Sequence, residues 1–264
     1  MDGTISGDER GTERRTARSA VGDRRAGASG SPLHFYRTTA MPCPYLDGRV
    51  ERKLVTELIG RDSGRFYNEL SRGGFRRSHH LAYRPACAGC GACVPVRIVA
   101  PDFAPTRSLR RVANRNADVT VRAMEPKASI EQYRVFARYQ HSRHNDSEMA
   151  SMTYGDYRAM IEDSPVATRL IELRGPDARL LGMCLVDLLD DGLSAVYSFY
   201  DPSDQRRSLG SFLILALIDE VLRRRTSYVY LGYWIAESPK MAYKSRFRPL
   251  EGLSARGWEP IELG

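Results

Sequence analysis

The stretch that decides the fold runs from residue 193 to residue 231 and reads LSAVYSFYDPSDQRRSLGSFLILALIDEVLRRRTSYVYL. Residues 193–200 are rich in aromatic and aliphatic side chains, which predicts a strand. The strongly apolar segment 208–224 predicts a helix with most of its surface buried. Residues 227–231 predict the next strand. These three elements form the middle of a longer α/β series in the second half of the chain.

The second half places further elements on both sides of this stretch. They are predicted helices at 129–144 and 153–163, predicted strands at 167–174 and 180–188, a short helix at 238–246 and a last strand at 248–259. The resulting order α-α-β-β-β-α-β-α-β is that of the GNAT acyltransferase fold. In that fold the helix after the third strand presents its N-terminus to a phosphate-bearing acyl donor, because its unpaired backbone N–H groups favour anions.

The first half differs in composition. Residues 1–31 are mostly Gly, Ser, Arg and acidic residues, which predicts a disordered tail. The elements predicted after it are helices at 49–59, 63–71 and 107–116 and strands at 75–84, 94–100 and 118–123. We therefore predict an α+β protein with three parts, which are the tail at 1–31, an N-terminal Cys-containing basic α/β domain at 32–123 and a C-terminal GNAT-like transferase domain at 124–264.

Positive charge is concentrated in one segment. The chain of 264 residues has a net charge of +8. Residues 71–115 contain nine Arg and a single acid, Asp102, so this segment alone carries +8. Such a cluster is typical of proteins that neutralise the phosphates of nucleic acids. A solvated charged face is the alternative.

Nothing in the sequence predicts export or a membrane span. The longest apolar run, 212–218, is far shorter than the ~20 residues that cross a bilayer. Arg and Gly occupy the N-terminal positions where a signal peptide would have its apolar region. We therefore expect a soluble cytoplasmic protein.

Three cysteines form the pattern C-x2-C-x2-C in a loop rich in Gly and Ala. The predicted metal ligands are Cys87, Cys90 and Cys93, with Cys43 as a fourth thiol; His79 or His80 is the alternative to Cys43. Three thiols at this spacing can face one centre, and a fourth ligand completes a site for Zn²⁺ or for an iron–sulfur cluster. The spacing does not distinguish the two metals. Reduced thiols without a metal are the alternative.

Several longer motifs occur in a fixed order along the chain. They are CPYL at 43–46, LSRGGFRRS at 70–78, YRPACAGCGACVPVR at 83–97, YSFYDP at 197–202, LGYWI at 231–235 and KMAYK at 240–244. Together they resemble the arginyl-tRNA–protein transferase family from Phe35 to Trp258. Ser147 stands where that family has glycine, a residue that would permit a turn with positive φ.

The short chain resembles the bacterial branch of this family, whose aspartate/glutamate leucyltransferases take leucine from leucyl-tRNA. The resemblance implies leucyl-tRNA and proteins with N-terminal Asp or Glu as partners. It also implies that the product is marked for degradation in the N-degron (N-end rule) pathway. Larger eukaryotic members transfer arginine, so arginyl transfer to the same N-termini is the alternative within the family.

The tRNA acceptor end needs a site for its phosphates, and the sequence RRSLGS opens the apolar helix. Backbone N–H groups and the helix dipole favour anions there. We predict that Arg206, Arg207 and Gly210 bind the acceptor end. The terminal base is expected to stack on Tyr233 or Trp234. A capped helix start with solvated arginines is the alternative.

The acceptor side chain is a carboxylate, so the site must supply a cation. The candidates are Arg76, Arg77, Lys240 and Lys244, of which the two arginines of the SRGGF turn are favoured. Contact with tRNA phosphates is the alternative for each of them.

The acceptor α-amine must lose a proton before it attacks. Because its ordinary pKa is ~7.7–8.0, a weak base is sufficient. The candidates are Asp187, Asp201 and His144, while Tyr197 or Tyr233 is expected to hold the ester carbonyl. Aminoacyl esters are already activated, so no cofactor is expected to be required for the chemistry, and positioning supplies most of the rate.

Two other classes of function are open to this sequence. A GNAT N-acetyltransferase that uses acetyl-CoA would explain the second half, but not the basic segment with its thiol loop. A zinc-containing RNA-binding protein without catalysis would explain the first half and leave the second without a role.

Overall fold

The computed structural model describes residues 33–143 and 147–261. Its strands are β1 (Phe35–Arg37), β2 (Met41–Pro42), β3 (Val50–Glu51), β4 (Lys53–Glu57), β5 (Arg76–Ser78), β6 (Leu81–Pro85), β7 (Val94–Val99), β8 (Thr120–Met124), β9 (Thr168–Arg174), β10 (Leu180–Leu189), β11 (Gly192–Tyr200), β12 (Tyr228–Trp234), β13 (Leu250–Ser254) and β14 (Gly257–Pro260). The α-helices are α1 (Ser63–Arg72), α2 (Arg107–Arg115), α3 (Ile130–Arg143), α4 (Tyr154–Glu162) and α5 (Leu209–Arg223), and short 3₁₀ helices are formed by Glu148–Ser151, Gln205–Arg207 and Pro239–Arg246. The predicted tail at 1–31 lies outside the described residues.

A large mixed sheet organises the protein. Its eight strands follow the order β14-β13-β7-β12-β11-β10-β9-β8, and neighbours are antiparallel except for the parallel pair β11 and β12. Successive side chains of β10 point to opposite faces of the sheet and pack into two separate cores. Val186 packs with apolar residues of α2 and α5, whereas Leu185 packs with α3 and α4. The architecture is therefore mixed α/β, with helices on both faces of the sheet.

The parallel strands β11 and β12 separate soon after they meet. They pair only at residues 192–194 and 228–230, and α5 connects them. The ladder between β10 and β11 skips Val196, and the ladder between β12 and β7 skips Leu231. A bulge leaves its extra residue outside the ladder. Both bulges lie where the strands separate, so their backbone carbonyls need partners from elsewhere.

The strand, helix and strand predicted at 193–231 are present as β11, α5 and β12. The two predicted helices before them are present as α3 and α4. The predicted helix at 238–246 is a 3₁₀ helix, and the last predicted strand is the hairpin of β13 and β14. Within the described part of the chain, no helix is both long and apolar enough to span a bilayer.

One helix prediction is wrong. Residues 49–59 form β3 and β4, and β4 pairs with both β1 and β6. The segment Lys53–Glu57 has no clear polar–apolar alternation, and its hydrogen-bond partners are distant in the sequence, so tertiary pairing decides its conformation. The strand predicted at 75–84 is likewise divided into β5 and β6, because His79 turns the chain with a φ of 50°.

The large sheet crosses the boundary predicted after residue 123. Strand β7, from the first half of the sequence, lies between β13 and β12 in the middle of the sheet, and β8 forms its far edge beside β9. Residues from 33 onward group as one unit by their contacts. The first half of the chain, which contains the cysteine loop and the four-stranded sheet β1-β4-β6-β5, is thus joined to the second half by the backbone pairing of β7 and β8.

Candidate active site

A cavity of about 510 Å³ opens where β11 and β12 separate. Its lining includes the first turn of α5, with Ser208 and Gly210, and several tyrosines. Two basic side chains, the half-buried Arg76 and the buried Lys244, also line it. The cavity therefore combines a helix N-terminus with two cations, and both features favour anions.

Arg76 bridges the two separating strands. One Nη atom donates to the carbonyl oxygens of Ala195 (2.6 Å) and Val196 (3.0 Å) on β11, and the other donates to that of Leu231 (3.3 Å) on β12. These carbonyls lie at the two bulges. The guanidinium thus satisfies backbone groups that the interrupted ladders leave unpaired, and it holds the mouth between the strands at a fixed width.

Lys244, in the 3₁₀ helix Pro239–Arg246, contacts the bulge in β12. Its Nζ donates to the carbonyl oxygen of Leu231 at 2.9 Å and also to that of Tyr233. Burial, together with the nearby charge of Arg76, lowers the pKa of Lys244 to about 7. Within the described part of the chain, neither cation has a carboxylate among its hydrogen-bond partners.

Gly232 is the residue that allows the cations to come this close. It has a φ of +74°, and a Cβ at this position would overlap the guanidinium of Arg76. Sequence reasoning did not single out this residue. The indication was present, because an isolated Gly inside a strand pattern marks a bulge or a close approach of another group.

Arg77 and Asp187 are bound to each other and not to the cavity. Nε and Nη2 of Arg77 donate to the two carboxylate oxygens of Asp187 at 2.7 Å each, and Thr168 donates to the same carboxylate at 3.0 Å. Both side chains are almost fully buried. The prediction of Asp187 as a base and of Arg77 as a substrate cation is therefore corrected, because each already compensates the charge of the other.

Asp201 is also held by neighbours. Its carboxylate accepts hydrogen bonds from the backbone N–H (3.0 Å) and hydroxyl (2.7 Å) of Ser203, and Arg138 and Arg179 lie within 3.6 Å. Burial alone would raise the pKa of Asp201, but these hydrogen bonds and charges outweigh it and lower the pKa below its ordinary value. A carboxylate with a lowered pKa is a weak base at neutral pH. The third candidate base, His144, lies outside the described residues.

Tyr197 stands in the wall between two cavities. It lines the cavity described above and also a second one of about 450 Å³, whose lining includes Met149, Met152 and Met160. Gln140 donates a hydrogen bond to its hydroxyl oxygen, and burial raises the pKa of Tyr197 to about 12. The hydroxyl thus keeps its proton at neutral pH, and its role at an ester carbonyl stays a prediction.

The predicted phosphate site is only partly free. Arg207 binds Asp118 through two hydrogen bonds (2.6 and 2.8 Å) and Asp204 through a third (2.9 Å). Arg206 is exposed beside it. Gly210 lies against Tyr200, whose Cε1 would be 3.0 Å from a Cβ at this position. The first turn of α5 and Arg206 therefore remain available to a phosphate, while Arg207 fixes the loop before the helix.

The remaining predicted substrate contacts lie elsewhere. The Tyr233 hydroxyl is within 3.0 Å of the carbonyl oxygens of Gly74 and Tyr83, to one of which it donates, so this side chain holds the SRGGF turn instead of a substrate. The indole N–H of Trp234 is buried without a hydrogen-bond partner among the described residues. Lys240 is exposed and is not among the residues that line the cavity.

The four predicted metal ligands share one region of the first half. Burial, with the neighbouring thiols Cys43, Cys87 and Cys90, raises the pKa of Cys93 to about 11. Arg49 donates to the sulfur of Cys90 at 3.4 Å. Within the ranges 33–143 and 147–261, however, no three His, Cys, Asp or Glu side chains are arranged to hold a metal ion. The thiols as placed therefore do not form a completed metal site.

A helix N-terminus and two cationic side chains that line one cavity favour anionic ligands. The sequence profiles of the arginine-tRNA-protein transferase match this chain over residues 41–111 for the N-terminal part and 131–254 for the C-terminal part. The chain belongs to the arginine-tRNA-protein transferase family, and it is an aminoacyltransferase.

Curated relatives agree with this assignment over most of the chain. The chain is 54% identical to the aspartate/glutamate leucyltransferase of Paramagnetospirillum magneticum, over 88% of this chain and 95% of the relative. It is also 54% identical to the protein of the same name from Granulibacter bethesdensis, over 87% and 86% of the two chains. The corresponding protein of Rhodospirillum rubrum is 53% identical, over 85% and 92%.

Proposed function

We propose that this aminoacyltransferase passes leucine from leucyl-tRNA to the N-terminus of proteins that begin with Asp or Glu. The names of the relatives support leucine as the donor residue and an acidic residue at the acceptor end. The product would be a substrate of the N-degron pathway, as the family resemblance implies. Because the donor is an aminoacyl-tRNA, we place the reaction in the cytoplasm.

The observation that carries this proposal is the pair of cations that line the cavity. Arg76 and Lys244 bind backbone carbonyls there, and neither has a carboxylate partner in the described ranges. Asp204 is the one carboxylate among the described lining residues, and it is paired with Arg207. A cation that is at least half-buried and has no counter-charge attracts an anion, because less water screens it than at the surface. An N-terminal Asp or Glu side chain would supply that anion at Arg76.

The N-terminus of α5, which also lines the cavity, supports a donor that carries phosphates. The order of β11, α5 and β12, with a bulge in β11 and a parallel pair that separates, supports a GNAT-like acyltransferase arrangement for this half. The N-terminus of α5 and Arg206 would bind the tRNA acceptor end. The arginines of α2 lie near, because Arg115 donates to the carbonyl oxygen of Arg206 at 3.0 Å. The exposed face of this basic helix would extend the contact to tRNA phosphates.

The chemistry needs little beyond positioning. The ester of an aminoacyl-tRNA is activated, so attack by a correctly held amine requires neither a covalent enzyme intermediate nor a cofactor. Tyr197 would donate a hydrogen bond to the ester carbonyl oxygen, on which negative charge develops as the amine attacks. Acetyl-CoA turnover without tRNA would favour the acetyltransferase alternative.

Replacement of Arg76 by Met is expected to remove the preference for an acidic acceptor. In the wild type, a peptide that begins with Asp should exceed its Asn counterpart in kcat/KM by about 10- to 150-fold, since hydrogen bonds to charged groups contribute ~1.5–3 kcal/mol. In Arg76→Met this ratio should fall to roughly threefold or less. The two peptides are compared on the same preparation, so partial unfolding of the variant leaves the ratio unchanged. A ratio that stays at the wild-type value contradicts the role of Arg76.

A metal or iron–sulfur cluster at Cys43, Cys87, Cys90 and Cys93 stays a separate proposal. It is supported by the C-x2-C-x2-C pattern and by the shared location of the four thiols. Binding would require these side chains to move closer together than they are here. Metal analysis of protein purified without oxygen tests it, and neither zinc nor iron in such protein would contradict it.

A further inference from the structure

Lys244 stands out among the groups that line the main cavity. The charged groups that face the cavity are Arg76 from β5, Arg143 from α3 and Asp204 from the loop before α5. The neutral titratable groups are Cys184 from β10, Tyr139 from α3, Tyr197 and Tyr200 from β11, and Tyr243 beside Lys244. Because Asp204 is paired with Arg207, no free carboxylate of the described lining residues is left to accept a proton.

We propose that Lys244, in its neutral form, accepts the proton that the acceptor α-ammonium loses, while Arg76 holds the acceptor side-chain carboxylate. This proposal rests on the proposed transfer to acidic N-termini. Both nitrogen groups donate to the carbonyl oxygen of Leu231, so they lie side by side in the cavity. An N-terminal Asp or Glu carries an ammonium and a carboxylate a few bonds apart, which matches a base and a cation placed next to each other.

The hydrogen bonds of Lys244 leave one direction open. A neutral amine has two N–H bonds and one lone pair. The two N–H bonds donate to the carbonyl oxygens of Leu231 and Tyr233. The lone pair then occupies the remaining tetrahedral position of Nζ. Lys244 lines the cavity. The backbone carbonyls thus hold the amine in one orientation whether or not it has accepted the proton.

The protonation equilibrium agrees with this geometry. Burial first, and then the charge of Arg76, lowers the pKa of Lys244 to about 7. At neutral pH a large share of the enzyme therefore has Lys244 uncharged. The ordinary pKa of an α-amine, ~7.7–8.0, is close to that of Lys244, so the proton moves between partners of similar basicity.

The step balances as follows. The α-ammonium gives one proton to Lys244, and the free amine attacks the leucyl ester carbonyl carbon. A C–N bond forms, the ester C–O bond to the terminal ribose breaks, and the ribose oxygen takes the second amine proton as it leaves. The products are the leucylated N-terminus and uncharged tRNA. The Lys244 ammonium then releases its proton to solvent.

Two replacements separate this role from a structural one. Lys244→Arg keeps donors for the carbonyls of Leu231 and Tyr233, but a guanidinium cannot act as a base near neutral pH. Lys244→Met removes both functions. Lys127→Arg is the matched control, because Lys127 is exposed and does not line the cavity. The measurement is kcat/KM for an Asp-starting peptide from pH 6 to pH 8.5, with saturating leucyl-tRNA and initial rates.

The wild type is expected to gain kcat/KM as Lys244 loses its proton, with a pKa of about 7, and to level off above pH ~8, because an acceptor amine that is already free needs no base. Lys244→Arg should follow the deprotonation of the acceptor amine alone, so its defect relative to wild type should shrink roughly fivefold between pH 6 and pH 8.5. Lys127→Arg should keep the wild-type profile. Thermal unfolding of Lys244→Arg close to wild type would show that the change is not a loss of folding.

The proposal is overturned if Lys244→Arg transfers leucine with the wild-type rate and pH profile, because Lys244 would then have only a structural role at the bulge in β12. It is also overturned if the defect of Lys244→Arg is the same at every pH. Failure of the underlying function looks different, since the wild type itself would then transfer no leucine to the Asp-starting peptide at any pH.

Discussion

Replacement of Arg77 by Ala is expected to lower the free energy of unfolding by about 3–5 kcal/mol. The side chain is 1% exposed, and its bidentate partner Asp187 is 0% exposed. Removal of the guanidinium would leave a carboxylate buried with only the hydroxyl of Thr168 as a side-chain donor. A buried charge without its partner is one of the few single-site causes of such a large loss. Denaturant unfolding followed by circular dichroism measures it.

Arg158→Ala provides the control for this measurement. Arg158 is exposed on α4 and lies 3.8 Å from Glu162, so its loss should change stability by no more than ~1 kcal/mol. The double replacement Arg77→Met with Asp187→Leu should recover part of the loss, because it removes both charges together. A change of less than ~1 kcal/mol in Arg77→Ala would mean that the pair is not buried as described.

Gly232→Ala is expected to reduce transfer by about 100-fold, because displacement of a positioning group by ~1 Å can have an effect of this size. The added Cβ would occupy the position of the Arg76 guanidinium, and Arg76 ties β11 to β12 at the mouth of the cavity. The backbone φ of +74° adds strain for any residue with a side chain. Steady-state transfer of labelled leucine to an Asp-starting peptide measures the loss.

Gly60→Ala separates the two causes. Gly60 has a φ of +84°, close to that of Gly232, but a Cβ there would meet nothing within 4 Å. It therefore shares the backbone strain and lacks the contact with Arg76. We expect Gly60→Ala to unfold at a lower denaturant concentration and to keep transfer close to wild type. Equal losses of activity in the two variants would contradict the account of Gly232.

The second half of the fold could be predicted because its elements are long and regular. The apolar run of α5 and the segments that become β10 and β11 define their elements locally. In the first half, α1, α2, β7 and β8 could also be predicted, but the strands before α1 and the place of β7 in the sheet could not. Strand β4 has only five residues, and its neighbours β1 and β6 come from other parts of the sequence. The place of β7 in the middle of the large sheet depends on pairing with β12 and β13, which no local pattern contains.

The sequence could predict which types of residue form the site, but not which side chains bind each other. Two of the predicted cations, Arg76 and Lys244, line the cavity, but the sequence favoured Arg76 and Arg77 together. Successive residues of a strand point to opposite faces, so only one of the two can face the cavity. Arg76 does so, and Arg77 points to Asp187. The choice depends on a carboxylate more than a hundred positions away, which spacing alone cannot reveal.

Transfer of leucine from tRNA to acidic N-termini is the activity on which the other proposed roles depend. It is tested by incubating the protein with leucyl-tRNA or arginyl-tRNA, each labelled in the amino acid, and with peptides that begin with Asp, Glu or Lys. We expect leucine to appear on the Asp and Glu peptides and not on the Lys peptide, and arginine to be transferred far more slowly. Arginine transferred at an equal or higher rate, or leucine passed to the Lys peptide as readily as to the Asp peptide, would contradict it.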